Sequence, residues 1–118
     1  MDETLLRLGT IASARSGDKG THANVAVIAR CDLSYRYLEE VLTTERVADF
    51  FGALKSSNVE RFLLPKLGSL NFLLHDALAG GASRSLRIDT QGKLLGTAIL
   101  ELQLPLPVNI EKMRTYEF

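Results

Sequence analysis

One apolar run, VAVIA at residues 25–29, most constrains how this chain can fold. Consecutive apolar residues place nonpolar side chains on both faces of a strand, which is typical of a central strand covered on two sides. The polar residues at the ends of the segment 24–30, Asn24 and Arg30, share one parity and point to the same face. We therefore predict a strand at 24–30 inside a sheet.

Hydrophobic periodicity predicts the elements around this strand. Further strands are expected at 4–12, 59–64, 84–90 and 93–104, and helices at 34–42, 44–55 and 67–79. Asp32 and Ser34 are candidate caps for the first helix. Pro65 is expected to end the third strand, and the pair Gly80 and Gly81 to end the third helix.

The predicted order is ββαβαββ, in which the region 34–55 counts once, as two helices or as one bent helix. This order mixes strands and helices without a regular βαβ repeat and is typical of an α+β protein. We expect a mixed sheet of about five strands with two or three helices packed mainly on one face. Residues 59–90 would form a βαβ unit with two parallel strands. The 118 residues suit one domain, with a core at 5–104 and a C-terminal tail at 105–118.

Charge and cysteine content exclude several classes of function. Fourteen Lys and Arg residues balance fourteen Asp and Glu residues, so no global field attracts nucleic acid or an anionic membrane. The N-terminal segment MDETLLRLG contains no long apolar run, so we predict neither a signal peptide nor a membrane span and expect a cytoplasmic protein. The single cysteine, Cys31, cannot form an internal disulfide. No residue set has metal-ligand spacing, so we predict no metal and no cofactor.

A polar run, RSGDKG at residues 15–20, lies in a predicted loop at 13–23 and is the first candidate site. Its two glycines allow positive φ angles, and successive amides in such a turn can form a concave nest for an anion. Arg15 and Lys19 add positive charge, while Asp18 bonds to the loop backbone or balances the two cations. A tight turn with a solvated salt bridge explains the same residues, so both interpretations stay open.

Two further polar clusters lie on and after the predicted third helix. Asn71 and His75 are four residues apart, so they would lie on one flank of its apolar stripe. A histidine there either acts as an acid or base near neutral pH or bonds to a backbone carbonyl. In the following GGASRSLR segment, Arg84 with its neighbour Ser85 can bind a carboxylate or phosphate, or Arg84 is simply exposed.

The same three segments, with LTTERVADFF between them, resemble the C-terminal ferredoxin-like domain of the AtuA-type acyclic terpene utilisation proteins. The likeness is strongest in RSGDKG with the following Asn24, and in NFLLH leading to GGASRSLR. It covers residues 5–104. The resemblance implies a ferredoxin-like fold and a link to the catabolism of branched terpenoid alcohols and acids as coenzyme A thioesters. It implies no established reaction and no assigned catalytic residue.

Longer members of this family carry a large N-terminal domain before this one. We therefore expect the chain to act as a subunit of a large AtuA-type partner or as a homo-oligomer. As an accessory module it would bind a small anionic or acyl-coenzyme A ligand. The predicted ligand-binding residues are Arg15, Ser16, Gly17, Asp18, Lys19, Gly20, Asn24, Asn71, His75, Arg84 and Ser85.

Two other classes of function stay open. A small enzyme acting alone on an acyl-coenzyme A or hydroxy-acid substrate would use His75 or Asp18 as its acid or base. A structural module would use the polar clusters as an oligomer interface. The enzyme should lose turnover when His75 is replaced, the binding module should gain stability with ligand, and the interface module should change its oligomeric state on Arg15→Glu.

Overall fold

The computed structural model describes residues 5–52, 56, 58–77, 94–108 and 110–113, and for Lys19 and Leu94 it describes the backbone alone. Within these residues the chain forms strands and helices in one α+β arrangement, which confirms the predicted fold class. The strands are β1 (Leu5–Arg7), β2 (Ala12–Lys19), β3 (His22–Ala29), β4 (Asn58–Leu64), β5 (Ser69–His75) and β6 (Gln103–Pro105). The α-helices are α1 (Asp32–Val41), α2 (Thr44–Phe50), α3 (Leu94–Ile99) and α4 (Ile110–Met113), and short 3-10 helices lie at Leu8–Thr10 and Pro65–Leu67.

The strands form two sheets where the sequence predicts one. The larger sheet has the order β2-β3-β5-β4, so β3 is central as its apolar run predicts, and β1 pairs with β6 in a separate sheet. The predicted strand at 4–12 is divided by the 3-10 turn at Leu8–Thr10, which sends its two halves to different sheets. Every described strand pair is antiparallel, and the second strand of the predicted βαβ unit lies outside the described residues.

One face of the larger sheet carries the core. Its buried side chains alternate along the two central strands: Ala23, Val25, Val27 and Ala29 on β3, and Leu70, Phe72 and Leu74 on β5. Helices α1 and α3 pack on β3, and α3 also packs on β2. Among the described residues, no helix packs on the other face of β3, where Asn24 is exposed and Ala26 and Ile28 are half-buried, so the cover on both faces that the sequence predicts is not seen there.

The predicted helix at 67–79 is wrong, because this segment forms the strand β5 after a 3-10 turn. Leu70 and Leu74 are four residues apart, a spacing that fits both the helical period of 3.6 and the strand period of 2. Pairing with β3 on one side and β4 on the other decides for the strand, and it buries Phe72 between the two leucines. The glycines expected to end this helix lie outside the described residues.

The first two predicted helices are confirmed, with different caps. The N-cap of α1 is Cys31, whose backbone N–H donates to the Ser34 hydroxyl at 3.0 Å. Asp32 instead pairs with Arg36 one turn later, at 2.9 Å. The helix predicted at 44–55 is α2, which begins at Thr44 after the N-cap Thr43. It ends earlier than predicted, at Phe50.

The predicted strand at 93–104 and the tail after it also differ from the structure. Leu95 and Ile99 are buried at helical spacing in α3, and only the short strand β6 at the end of this segment pairs in a sheet. The expected extended tail contains the helix α4, whose Met113 is buried. The segment predicted as one strand therefore contains apolar residues at helical spacing first, in α3, and at strand spacing only at its end, in β6.

A cation on the edge strand β4 ties helix α1 to the sheet. Arg61 Nη1 donates to the carbonyls of Glu39 and Leu42, each at 2.9 Å. These carbonyls are at the C-terminal end of α1, where a positive charge also complements the helix dipole. Burial raises the pKa of the nearby Tyr35 phenol, Glu39 raises it further, and Arg61 lowers it.

Candidate functional site

The face of the larger sheet opposite the core, called here the open face, collects most of the polar residues singled out in the sequence. Because the register is continuous across the four strands, every second residue of each strand belongs to it. Its described residues are Ser13, Arg15 and Gly17 on β2; His22, Asn24, Ala26 and Ile28 on β3; Asn58, Glu60, Phe62 and Leu64 on β4; and Ser69, Asn71, Leu73 and His75 on β5.

Three polar side chains surround two small residues on this face. Arg15 lies opposite Ala26, which in turn lies opposite Asn71, while Gly17 lies opposite Asn24. A Cβ added to Gly17 would meet no atom within 4 Å. The glycine and the alanine therefore leave a shallow floor that a ligand atom can approach between the arginine and the asparagines.

The polar groups around this floor include hydrogen-bond donors that a ligand can use. Arg15 is exposed and forms no ion pair or hydrogen bond with another described side chain. The Ser69 hydroxyl donates to Asn71 Oδ1 at 2.8 Å, which leaves the Asn71 NH2 group directed away from that contact. A guanidinium and amide NH2 groups are donors only in this geometry, so they favour an acceptor such as a carboxylate or phosphate.

A pair of histidines lies at one end of the open face. His75 Nε2 is 2.6 Å from Glu60 Oε1, and the His22 ring packs edge-on against the His75 ring at 4.9 Å. The backbone N–H of Asp76 donates to His22 Nδ1 at 2.9 Å, so the proton of neutral His22 is on Nε2. Asp76 holds a left-handed conformation with φ 59° directly after β5. The cluster therefore places one histidine in contact with a carboxylate and the other with a backbone donor.

An apolar strip borders the polar part of the face. Phe62 and Leu64 on the edge strand β4 are 48% and 38% exposed, and Leu67 in the following turn is 69% exposed. Large side chains this exposed are ordinary when they are scattered, but here they adjoin one another along one edge of the sheet. The open face therefore has one apolar side, at the Leu64 end of β4, whereas Asn58 and Glu60 keep the other end of this strand polar.

The predicted anion nest at residues 15–20 is wrong, because these residues lie in the hairpin of β2 and β3. Of its two glycines, only Gly20 has a positive φ, 69°, at the hairpin turn. Successive amides of an extended strand point in opposite directions, so they cannot converge on one anion. The same alternation separates the run, with Arg15 and Gly17 on the open face and Ser16 and Asp18 on the core face.

Ser16 has a structural partner on the core face. Its hydroxyl accepts a hydrogen bond of 2.6 Å from the backbone N–H of Gly96, in the first turn of α3. A Cβ on Gly96 would lie 3.0 Å from backbone atoms of Arg15 and Ser16, so the helix approaches the strand as closely as a glycine allows. Ser16 thus satisfies one of the amide donors that the start of a helix leaves without an intrahelical partner.

The other predicted site residues are distributed as follows. Asn24, Asn71 and His75 lie on the open face with Arg15 because of the register between the strands. Asn71 and His75 share this face because a spacing of four residues keeps one side in a strand as it does in a helix. Asp18 lies on the other face, away from His75, so the two candidate acid–base groups are not together. Arg84 and Ser85 lie outside the described residues, and Lys19 is described by its backbone alone.

Sequence reasoning missed the contributions of Glu60 and Phe62 to the open face. Both belong to the segment NVERFLL, which was correctly predicted as a strand. Their equal parity was the available signal, since residues two apart in a strand point to one side. His22 meets His75 only through the register of the hairpin and of β5, which local sequence does not contain.

The described residues form an α+β domain with helices on one side of an antiparallel sheet and a face rich in polar side chains on the other. The family model of the AtuA ferredoxin-like domain matches residues 6–105, and the chain belongs to this family. The resemblance seen in the sequence is thereby confirmed. No curated protein and no solved structure matches the chain.

Two properties of the described residues concern membranes and metal ions. No helix there is long and apolar enough to cross a membrane. No group of three or more His, Cys, Asp or Glu side chains in the same part of the chain is placed to hold a metal ion.

Proposed function

We propose that this AtuA-family domain is an accessory binding module whose open face holds an anionic group, with Arg15 as the main contact. The observation that carries the proposal is the juxtaposition of Arg15, Asn24 and Asn71 around the floor of Gly17 and Ala26. A guanidinium binds a carboxylate or phosphate through two parallel hydrogen bonds. The asparagine NH2 groups add donors on the neighbouring strands.

Family membership guides the choice of ligands. The resemblance to AtuA-type proteins points to branched terpenoid acids handled as coenzyme A thioesters, and coenzyme A carries phosphates that Arg15 could bind. A large AtuA-type partner would instead offer a protein carboxylate to the same residue. Binding of a coenzyme A ligand and binding of a partner protein are both accessory roles. Each requires that the Arg15 side chain be accessible to an anion.

The first test is the thermal stability of the purified chain with inorganic phosphate, succinate, coenzyme A and an acyl-coenzyme A thioester. A ligand at ten times its Kd adds about 1.4 kcal/mol to the free energy of unfolding, which raises Tm by several degrees in a domain of this size. Arg15→Ala should weaken the binding at least about tenfold, because it removes the charged donor. Asn24→Ala should weaken it less.

The matched control is Arg46→Ala, which removes an exposed cation on α2 that does not belong to the open face. It is needed because phosphate also raises stability by its general exclusion from protein surfaces. Equal Tm shifts in the wild type and both arginine variants would mean that the anions act through the solvent and that the proposal is wrong. A shift lost only in Arg15→Ala supports it.

A small enzyme is the second candidate function, and the 2.6 Å contact of His75 Nε2 with Glu60 Oε1 favours it. A carboxylate that holds a histidine in this way orients the imidazole for proton transfer at its other nitrogen. Turnover of an acyl-coenzyme A thioester or a hydroxy acid by the isolated chain should fall at least about a hundredfold in His75→Ala. If the wild type turns over neither substrate class, only the binding function remains.

A further inference from the structure

We infer that the anion that Arg15 binds is Glu60 of a second copy of this chain, and that two copies pack open face against open face. The inference rests on the proposed function, since it names the partner that supplies the anion at the same site. Arg15 and Glu60 are on the two edge strands, β2 and β4, and their side chains point to the same side of the sheet.

Symmetry brings these two charges together across the interface. A two-fold axis parallel to the strands, midway between β3 and β5, lays β2 of one copy over β4 of the other. Each dimer then contains the contact twice, because Arg15 of either copy faces the β4 strand of its neighbour. A self-complementary surface of this kind is what closed two-fold dimers require.

The strand register of the larger sheet determines which residues of the two copies face each other. Arg15, Ala26, Asn71 and Phe62 form one row across the sheet, and the next row ends at Glu60. Under the two-fold axis, Arg15 therefore lies over the Phe62 ring of the second copy, where a guanidinium is attracted to the ring face. Glu60 is two residues further along the same strand, about 7 Å away, within reach of an arginine side chain.

Glu60 can accept a second partner. Its Oε1 contacts His75, and its side chain is 45% exposed, so the carboxylate keeps lone pairs for a guanidinium. His75 itself would then stand at the rim of the interface. The contact with His75 also restricts the rotamers of Glu60 before the second copy binds, which lowers the entropy lost on association.

The apolar side of the open face is covered in the same arrangement. Phe62 and Leu64, which are 48% and 38% exposed in the single chain, move under β2 of the second copy. The residues of the open face on β2 and β3 include Gly17 and Ala26, whose small size allows the two sheets to approach. Charge complementarity and cover for the apolar strip thus point to one occupant, a second copy.

Charge exchange tests the pairing directly. The wild type should sediment as a dimer, and Arg15→Glu and Glu60→Arg should each raise the dimer Kd by about a hundredfold, because each change creates two like-charge contacts.

Mixed in equal amounts, the two variants should form a heterodimer. Its two substituted positions then face each other with opposite charges, and the native Arg15 and Glu60 form the second contact. The double variant in one chain should dimerise with itself. Sedimentation velocity measures all of these samples.

Two controls carry matched charge changes away from the open face. Arg46→Glu on α2 and Glu40→Arg on α1 should leave the dimer intact, and thermal melting checks that every variant is folded. A monomeric wild type overturns the inference, and so does a dimer that ignores the changes at Arg15 and Glu60. Failure of the mixed variants to associate overturns it as well.

The same samples separate this inference from the proposed function. The Glu60→Gln variant, which removes the negative charge, should weaken the dimer, and at low protein concentration it should leave Arg15 open to small anions. If the wild type is monomeric but binds succinate or phosphate through Arg15, the inference fails and the proposed function stands. If the charge exchange succeeds but Glu60→Gln binds none of these anions, the face is an interface alone and the proposed ligand function fails.

Discussion

Replacing Phe72 with alanine is expected to lower the free energy of unfolding by about 3–5 kcal/mol, the cost of removing a large aromatic side chain from a packed core. Phe72 is 0% exposed, at the centre of β5 and between two paired strands. Its removal leaves a cavity between the sheet and the helices, and the two layers cannot move close enough together to fill it. Urea unfolding followed by circular dichroism measures the change.

Phe62→Ala is the matched control for this prediction. It deletes the same atoms from the neighbouring strand but on the open face, where Phe62 is 48% exposed. Its cost should stay below about 1 kcal/mol when the single chain is unfolded at low protein concentration. Similar losses for the two variants would mean that the core and open faces of the larger sheet are wrongly assigned, and the candidate site with them.

Replacing Gly96 with alanine is expected to cost about 1–3 kcal/mol, because the new methyl group would lie 3.0 Å from backbone atoms of Arg15 and Ser16. The backbone of β2 is held by its pairing with β3, so the helix α3 has to move away from the strand. Ser16→Ala should cost a similar amount, since it leaves the Gly96 amide without its 2.6 Å hydrogen bond. Thermal or urea unfolding of the single and double variants measures both.

The double variant tests whether the two losses share one contact. Because both changes separate α3 from β2, their combined cost should be smaller than the sum of the single costs. Gly52→Ala is the control, since a Cβ there meets no atom within 4 Å and the free energy of unfolding should change little. A fully tolerated Gly96→Ala would contradict the close packing of helix and strand. It would also reopen a direct ligand role for Ser16.

The sequence predicts elements well where length and composition favour one structure. The apolar run at 25–29 is short and rich in β-branched residues, and Pro65 limits the segment at 59–64 to a length typical of a strand; both predictions are confirmed, as β3 and β4. The segment SLNFLLH fits both periods, and only pairing with strands distant in sequence selects β5. Local periodicity cannot contain that information, which is why the predicted third helix is wrong.

The sequence singles out polar residues, but it does not show how they are arranged. Arg15, Asn24, Asn71 and His75 lie on one face of the larger sheet. Their arrangement depends on the parity of each strand and on the register between strands. The sequence shows neither while RSGDKG is taken for a turn, so Ser16 and Asp18 were grouped with side chains that point to the opposite face.

The measurement that tests the central claim most directly is a titration of the isotopically labelled chain with succinate, followed by the backbone amide signals in NMR. We expect the shifts to concentrate on the open face, at Arg15, Gly17, Asn24 and Asn71, and to disappear in Arg15→Ala. If succinate displaces a second copy, the signals of Glu60, Phe62 and Leu64 shift as well, and Arg15 remains at the centre of the response. Shifts centred on Asp18 and α3, or a response that survives Arg15→Ala, would contradict the assignment of the open face as the anion-binding surface.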